Sequence, residues 1–182
     1  MKITYKSLNQ IEPHLWAGGS TFQYFLYPNQ ASYAHKDFTF RISSATLEQS
    51  PSVFTQFDGY TRYLCMLDNP LDLSRNGINQ HFKKREIFLF DSADTVISTS
   101  LGTDFNWMVS HKVNKHHLEI TDQSQSSASP FIILFALEPV DIKIDQGSYQ
   151  LEKSSCLLIE NSDEVRLTIS FDSPLVFMTL TV

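Results

Sequence analysis

Apolar and polar residues alternate with a period of two in segment after segment. Phe38, Phe40 and Ile42 alternate with Thr39, Arg41 and Ser43, and Val140, Ile142 and Ile144 alternate with Asp141 and Lys143. Val165, Leu167, Ile169 and Phe171 do the same against Arg166, Thr168, Ser170 and Asp172. Successive side chains of a strand leave on opposite faces, so this period predicts strands with one buried face. No stretch longer than about ten residues holds an i, i+3, i+4, i+7 apolar pattern with caps, so no long amphipathic helix is expected. Further strands are predicted over 22–27, 60–67, 86–90, 95–100, 104–109, 116–121, 131–138, 156–160 and 175–182. Turn pairs such as Asn-Pro, Asn-Gly, Asp-Gly and Gln-Gly separate them, which points to an all-β chain of sandwich or barrel type. The polar, irregular stretch 69–84 reads as a surface excursion.

The segment 122–130, Asp-Gln-Ser-Gln-Ser-Ser-Ala-Ser-Pro, is polar and nearly uncharged and has the composition of a linker. It separates lobes 1–122 and 131–182. The second lobe carries about five predicted strands, fewer than the roughly eight that close a small barrel. If there are two barrels, the first lobe must lend strands to the second, so residues 1–182 are expected to form a single unit.

Composition narrows the class of partner. Charged residues make up 19% and aromatic residues 13%, with 14 Phe and 7 Tyr, which excludes intrinsic disorder. With 14 basic against 20 acidic residues and a formal charge of -6, there is no cationic excess for a nucleic-acid or anionic-membrane partner. The N-terminus lacks the apolar core of a signal peptide, and the longest apolar run, 131–137, is too short to cross a bilayer. A cytoplasmic protein is expected. Cys65 and Cys156 sit inside apolar runs, the setting of reduced core thiols.

The sequence offers little for metal or nucleophilic chemistry. A cupin-type metal site uses two imidazoles on one strand face, which requires His-x-His, and none occurs. His116 and His117 are adjacent and point apart, leaving His117 and Glu119 as a same-face pair of the kind found on a solvated edge. There is no Gly-x-Ser-x-Gly elbow, no Cys-x-x-Cys and no phosphate-cradling glycine loop. No metal, cofactor or catalytic residue is therefore assigned.

Two arginines stand out. Arg41 shares a strand face with Thr39, Ser43 and Ala45, and Arg62 shares one with Tyr60, Leu64 and Met66. A guanidinium on such a face is costly to bury unless it meets a carboxylate or an anionic ligand. In 102–108, Asp104, Asn106 and Met108 lie on one face and Phe105 and Trp107 on the other, a mix suited either to a small-molecule pocket or to a solvated strand.

Four segments in order, Trp16-Ala-Gly-Gly-Ser-Thr21-Phe-Gln23, Phe38-Thr-Phe-Arg41-Ile-Ser43-Ser-Ala45, Phe54-Thr-Gln-Phe57-Asp-Gly59-Tyr-Thr-Arg62 and Asp104-Phe-Asn106-Trp-Met108, resemble the HutD/Ves family of bicupins. The resemblance covers residues 14–110. It implies a cupin-type jelly roll, with two small β-barrels in one compact chain that lack the cupin metal triad. It also implies a non-catalytic binder of an intermediate of bacterial histidine utilisation, such as urocanate or formylglutamate. On this reading the partner is a small anionic metabolite, a homodimer is compatible, and the ligand-binding residues are Trp16, Gln23, Arg41, Arg62, Asp104 and Asn106. Where some relatives carry a basic residue after the last motif, this chain has Val109-Ser110 and then His111. The rival readings are a metal-independent isomerase or hydrolase using Asp104 or a histidine, and a protein-interaction module.

Overall fold

The structure, a computed structural model, describes all 182 residues. They form two compact units, one of residues 12–112 and one of residues 1–11 with 113–182. The chain opens with strand Lys2–Lys6 (β1), in the second of these units, followed by a single 3-10 turn, Leu8–Gln10, closed by a capping box in which the Ser7 N–H donates to the Gln10 side chain at 3.0 Å.

The unit 12–112 contains His14–Trp16 (β2), Gly19–Tyr27 (β3), Phe40–Leu47 (β4), Ser52–Val53 (β5), Tyr60–Met66 (β6), Leu71–Arg75 (β7), Ile78–Phe82 (β8), Phe88–Asp91 (β9), Val96–Ser98 (β10) and Gly102–Ser110 (β11). They make a six-stranded sheet, β2-β3-β4-β11-β6-β9, and a four-stranded sheet, β5-β10-β7-β8. All pairings are antiparallel. Leu47, Leu64, Met66, Phe88 and Phe90 of the first sheet pack with Leu71, Leu73 and Val96 of the second. Full burial of each such side chain contributes about 1.5–3 kcal/mol, so this layer dominates the cohesion of the unit.

The stretch 69–84, expected as an irregular excursion, is instead the β7/β8 hairpin. Asn76 and Gly77 both have positive φ, 50° and 82°, between paired Arg75 and Ile78, the geometry that a two-residue hairpin loop demands. Leu71 and Leu73 alternate inward while Asp72 stays outside. Two backbone details in β3 shape the six-stranded sheet. Gly19 has φ 151°, and a Cβ there would run into the Thr46 carbonyl oxygen, so glycine is required where β3 joins β4. Farther along, the β3/β4 ladder slips between Gln23 and Phe25, a bulge that puts Thr21, Gln23 and, beyond it, Leu26 on one face.

The other unit contains β1 with Lys115–Thr121 (β12), Gln125–Ser127 (β13), Phe131–Ala136 (β14), Val140–Ile144 (β15), Gly147–Leu151 (β16), Cys156–Glu160 (β17), Leu167–Phe171 (β18) and Leu175–Thr181 (β19). Its sheets are β1-β17-β14-β19-β12 and β13-β18-β15-β16. Ile132, Leu134, Leu157, Ile159, Leu175 and Phe177 of the first face Val140, Ile142, Ile144, Leu151, Leu167 and Ile169 of the second. Strands from both ends of the sequence thus share a sheet: β1 pairs with β17 and β12 with β19. The segment 122–130 is not a free linker, because Gln125–Ser127 pairs with β18; its polar composition is that of a short edge strand.

The chain is all-β, with two antiparallel sheets in each unit, and the sheets are discrete rather than the closed barrels expected. Closure needs a ladder that continues from one edge to the other. Several edge strands here are only two to four residues long (β2, β5, β9 and β13), and none is hydrogen-bonded onward into the facing sheet.

Candidate ligand-binding site

The central strands of the six-stranded sheet carry polar residues in an otherwise apolar interior. Met108 of β11 is paired with Arg41 on one side and Arg62 on the other. Asn106 lies between Ser43 and Leu64, and Asp104 between Ala45 and Met66. Side chains directly opposite share a face, so Arg41, Ser43, Arg62, Asp104 and Asn106 all leave from the same side of the sheet. Gln23 joins them opposite Ser43. The two arginine backbones are two strand spacings apart, roughly 10 Å, with β11 between them.

These groups are buried: Arg41 is 8% exposed, Arg62 6%, Asp104 3% and Asn106 7%. Neither guanidinium has a carboxylate within ion-pairing distance. Arg41 donates from Nε to Gln23 Oε1 at 2.8 Å and from Nη1 to Ser43 Oγ at 2.9 Å, and its Cζ sits 4.4 Å from the centre of the Tyr33 ring. Arg62 donates from Nη1 to the Thr55 carbonyl at 3.2 Å and lies 5.3 Å from the rings of both Phe54 and Phe90. A guanidinium has five N–H donors. Arg41 commits two and Arg62 one, and the buried Arg62 Nε has no partner.

Burial dominates the electrostatics. It pulls the Arg62 pKa down to about 10, with Tyr33 and Asp104 opposing the shift and Arg41 adding to it; Arg62 still carries its charge at neutral pH. Arg41 is also lowered, first by burial, against Tyr33 and Asp104. The Asp104 carboxyl is pushed up to about 7 by burial, despite accepting the Ala45 N–H at 3.0 Å and despite both arginines. Near pH 7 the face therefore carries two guanidinium charges against one carboxyl whose ionisation burial opposes, a net cationic interior.

Trp16 lies at the edge of this face. Its indole N–H donates to Thr21 Oγ1 at 3.2 Å, and the residue is 38% exposed. Thr21 is two residues before Gln23, so the structure places Trp16 on the border of the polar cluster and the other five residues expected to bind ligand within it. Tyr33, Phe54 and Phe90 complete the surroundings, and the sequence pattern does not single them out as site residues. Phe90 follows the strand alternation of β9, opposite Arg62. Tyr33 comes from the loop between β3 and β4, where no periodicity reveals direction; its contacts with Phe57 and Phe38 hold it against Arg41.

The remaining candidates lie elsewhere. His117 and Glu119 face each other at 3.7 Å on edge strand β12, His117 exposed and Glu119 partly buried. His81 meets Asp72 at 2.7 Å and His111 meets Asp91 at 3.5 Å, also at the surface. Cys65 and Cys156 are free and buried, and burial pushes the Cys65 thiol up to about 12. Open clefts of about 550 and 580 Å3 occur in the unit holding β12 to β19, one lined by His116, His117 and Thr179, the other by Asp141, Glu152 and Asp172; neither touches the arginine cluster.

The HutD family model matches residues 8–177, and the chain belongs to that family. HutD from Pseudomonas fluorescens SBW25 in a formate condition is similar at TM-score 0.84 and 21% identity, covering 99% of this chain and 98% of that one. A conserved protein of unknown function from Pseudomonas aeruginosa PAO1 is similar at TM-score 0.85 and 19% identity over the whole of both chains. The bacterial pirin YhhW from Escherichia coli, in complex with nickel(II), is similar at TM-score 0.66 and 10% identity over 99% of both chains. No curated protein matches the sequence. A nickel site does not fit the polar face of this chain: two guanidiniums repel a divalent cation, and no group of three or more His, Cys, Asp or Glu side chains is placed to hold a metal ion.

Proposed function

With HutD membership as the premise, we propose that this chain binds a small anionic or zwitterionic metabolite without turning it over. The observation that carries the reading is the pair of buried guanidiniums on one face, with no carboxylate partner and most of their donors uncommitted. A ligand carboxylate supplies what the fold withholds: charge compensation and the two acceptor oxygens that a guanidinium fork grips. Gln23, Asp104 and Asn106 meet the polar remainder of the ligand, and Trp16 covers its exposed edge. Two discrete sheets in each unit support the bicupin description, with strands 2–6 and 115–121 contributed to the C-terminal unit. A cytoplasmic role in histidine utilisation, with a urocanate-like or formylglutamate-like ligand, belongs to the same proposal.

A thermal-shift and calorimetric screen of urocanate, histidine, formylglutamate and related acids tests it. Dose-dependent stabilisation by the acids is expected, and no stabilisation by any of them would refute it. One observation favours a second reading: a carboxyl with a pKa of about 7, such as Asp104, is matched to proton transfer at neutral pH. Under that reading, a metal-independent isomerase or hydrolase, incubation with the same acids gives new product signals by NMR that vanish in Asp104→Asn.

A further inference from the structure

The proposed carboxylate grip accounts for the donors of the cluster but leaves an acceptor unanswered. Asn106 Oδ1 is buried without any hydrogen-bond partner, and Asn106 as a whole is 7% exposed. Its neighbours across the strands are Ser43, whose Oγ accepts from Arg41 Nη1 and makes no hydrogen bond to Asn106, and the apolar Leu64. On the same face, Arg62 Nε is buried and equally unpartnered. Arg62 pairs with Met108, so Asn106 is its diagonal neighbour, on the order of 7–8 Å away between backbones. A buried orphan donor and a buried orphan acceptor at this separation are each costly when left unpaired.

Resting on the anion reading above, we infer that Asn106 is the specificity-determining residue of the site, and that it selects acids carrying an N–H or O–H donor at the end remote from the carboxylate. A simple carboxylate satisfies Arg62 and leaves Asn106 Oδ1 dry and unpaired. A bifunctional acid with an N–H or O–H donor beyond its carboxylate satisfies both in one step. The selectivity is of the strong kind, because a site built to receive a donor rejects the isostere that lacks it through the unpaired group left behind.

The test uses two matched pairs of probes on the full chain, by titration calorimetry. 3-(2-Pyrrolyl)acrylate is compared with 3-(2-furyl)acrylate, and 4-acetamidobenzoate with 4-acetoxybenzoate; in each pair an N–H remote from the carboxylate is replaced by oxygen. In the wild-type protein the N–H member of at least one pair is expected to bind about tenfold or more tightly, as an unpaired buried acceptor dictates. Asn106→Leu, similar in size and unable to accept, should reduce that preference to about twofold or less. Arg62→Met should weaken both members of the pair alike. If Asn106→Leu does not fold, the wild-type comparison decides alone. Equal affinity within both pairs, or preference for the oxygen member, overturns the role of Asn106, while the anion reading stands as long as Arg62→Met weakens the binding of both members about tenfold or more. No binding by any of the four probes removes the anion reading, and this inference with it.

Discussion

Asp104→Asn isolates the least comfortable charge in the interior. The carboxyl is buried, with its pKa raised from 3.8 to about 7 mainly by desolvation. The folded state therefore binds more protons than the unfolded state between these values, and by linkage its stability falls as pH rises from about 4 to about 7, then levels off. At about 1.4 kcal/mol per pKa unit, the penalty at pH 8 is on the order of 4 kcal/mol. Asparagine keeps an oxygen for the Ala45 N–H, which Asp104 Oδ1 accepts at 3.0 Å, but never ionises. The variant is expected to be more stable than wild type at pH 8 by about that amount, a rise in Tm on the order of 10 °C, with the gap closing toward pH 4. Both tryptophans, Trp16 and Trp107, belong to the unit 12–112, so urea unfolding followed by tryptophan fluorescence reports the unit that holds Asp104. A variant less stable than wild type at pH 8, or one with an unchanged pH slope, would show that Asp104 acts as an ionised partner of the arginines and refute the reasoning.

Arg62→Met removes no ion pair and places an apolar side chain beside Phe54 and Phe90, so Tm should hold or rise while affinity for the acids falls about tenfold to a hundredfold, the worth of one charge-assisted hydrogen bond of roughly 1.5–3 kcal/mol; a fall in Tm with unchanged affinity contradicts it. Gly19→Ala drives a Cβ against the Thr46 carbonyl, and loss of cooperative unfolding or a Tm drop of several degrees is expected, whereas wild-type Tm would show that the β3/β4 contact yields. Acetate binding should weaken as pH rises through about 7, because ionising Asp104 adds negative charge beside the anion, and the same titration in Asp104→Asn should be flat.

Alternation predicts the strands whose two faces differ most. β15 reads buried, exposed, buried, exposed, buried along Val140–Ile144, and its bounds match the sequence pattern at both ends. Edge strands escape for the opposite reason. Lys2–Lys6 has no buried residue and Gln125–Ser127 only partial burial, so hydropathy shows no contrast and hydrogen bonding alone defines them. The β7/β8 hairpin is obscured by its polar second strand, although Asn76-Gly77 between Leu71 and Leu73 on one side and Ile78 on the other carries the turn signal. The division between units departs from the compositional one because composition marks flexible segments, whereas compactness depends on pairing: the polar 122–130 is stitched to β18, and the division falls near residues 112 and 113.

The polar cluster is readable to the extent that it lies on regular strands. Parity within a single strand puts Arg41 with Ser43, and Asp104 with Asn106, and antiparallel register then aligns the strands without any tertiary information. Parity fails at a bulge or a loop. Gln23 stays with the cluster because it precedes the slip in β3, and one residue later the count reverses. Tyr33, packed against Arg41 and acting electrostatically on both guanidiniums, lies in a loop and has no pattern to betray it. What no pattern can supply is the absence of a counter-ion. The chain has 20 acidic residues, and only the folded structure shows that none is brought within ion-pairing distance of either buried arginine. That omission is what the proposed function builds on: two buried charges without a counter-ion burden the fold, and on that proposal an incoming anion offsets part of the cost when it binds.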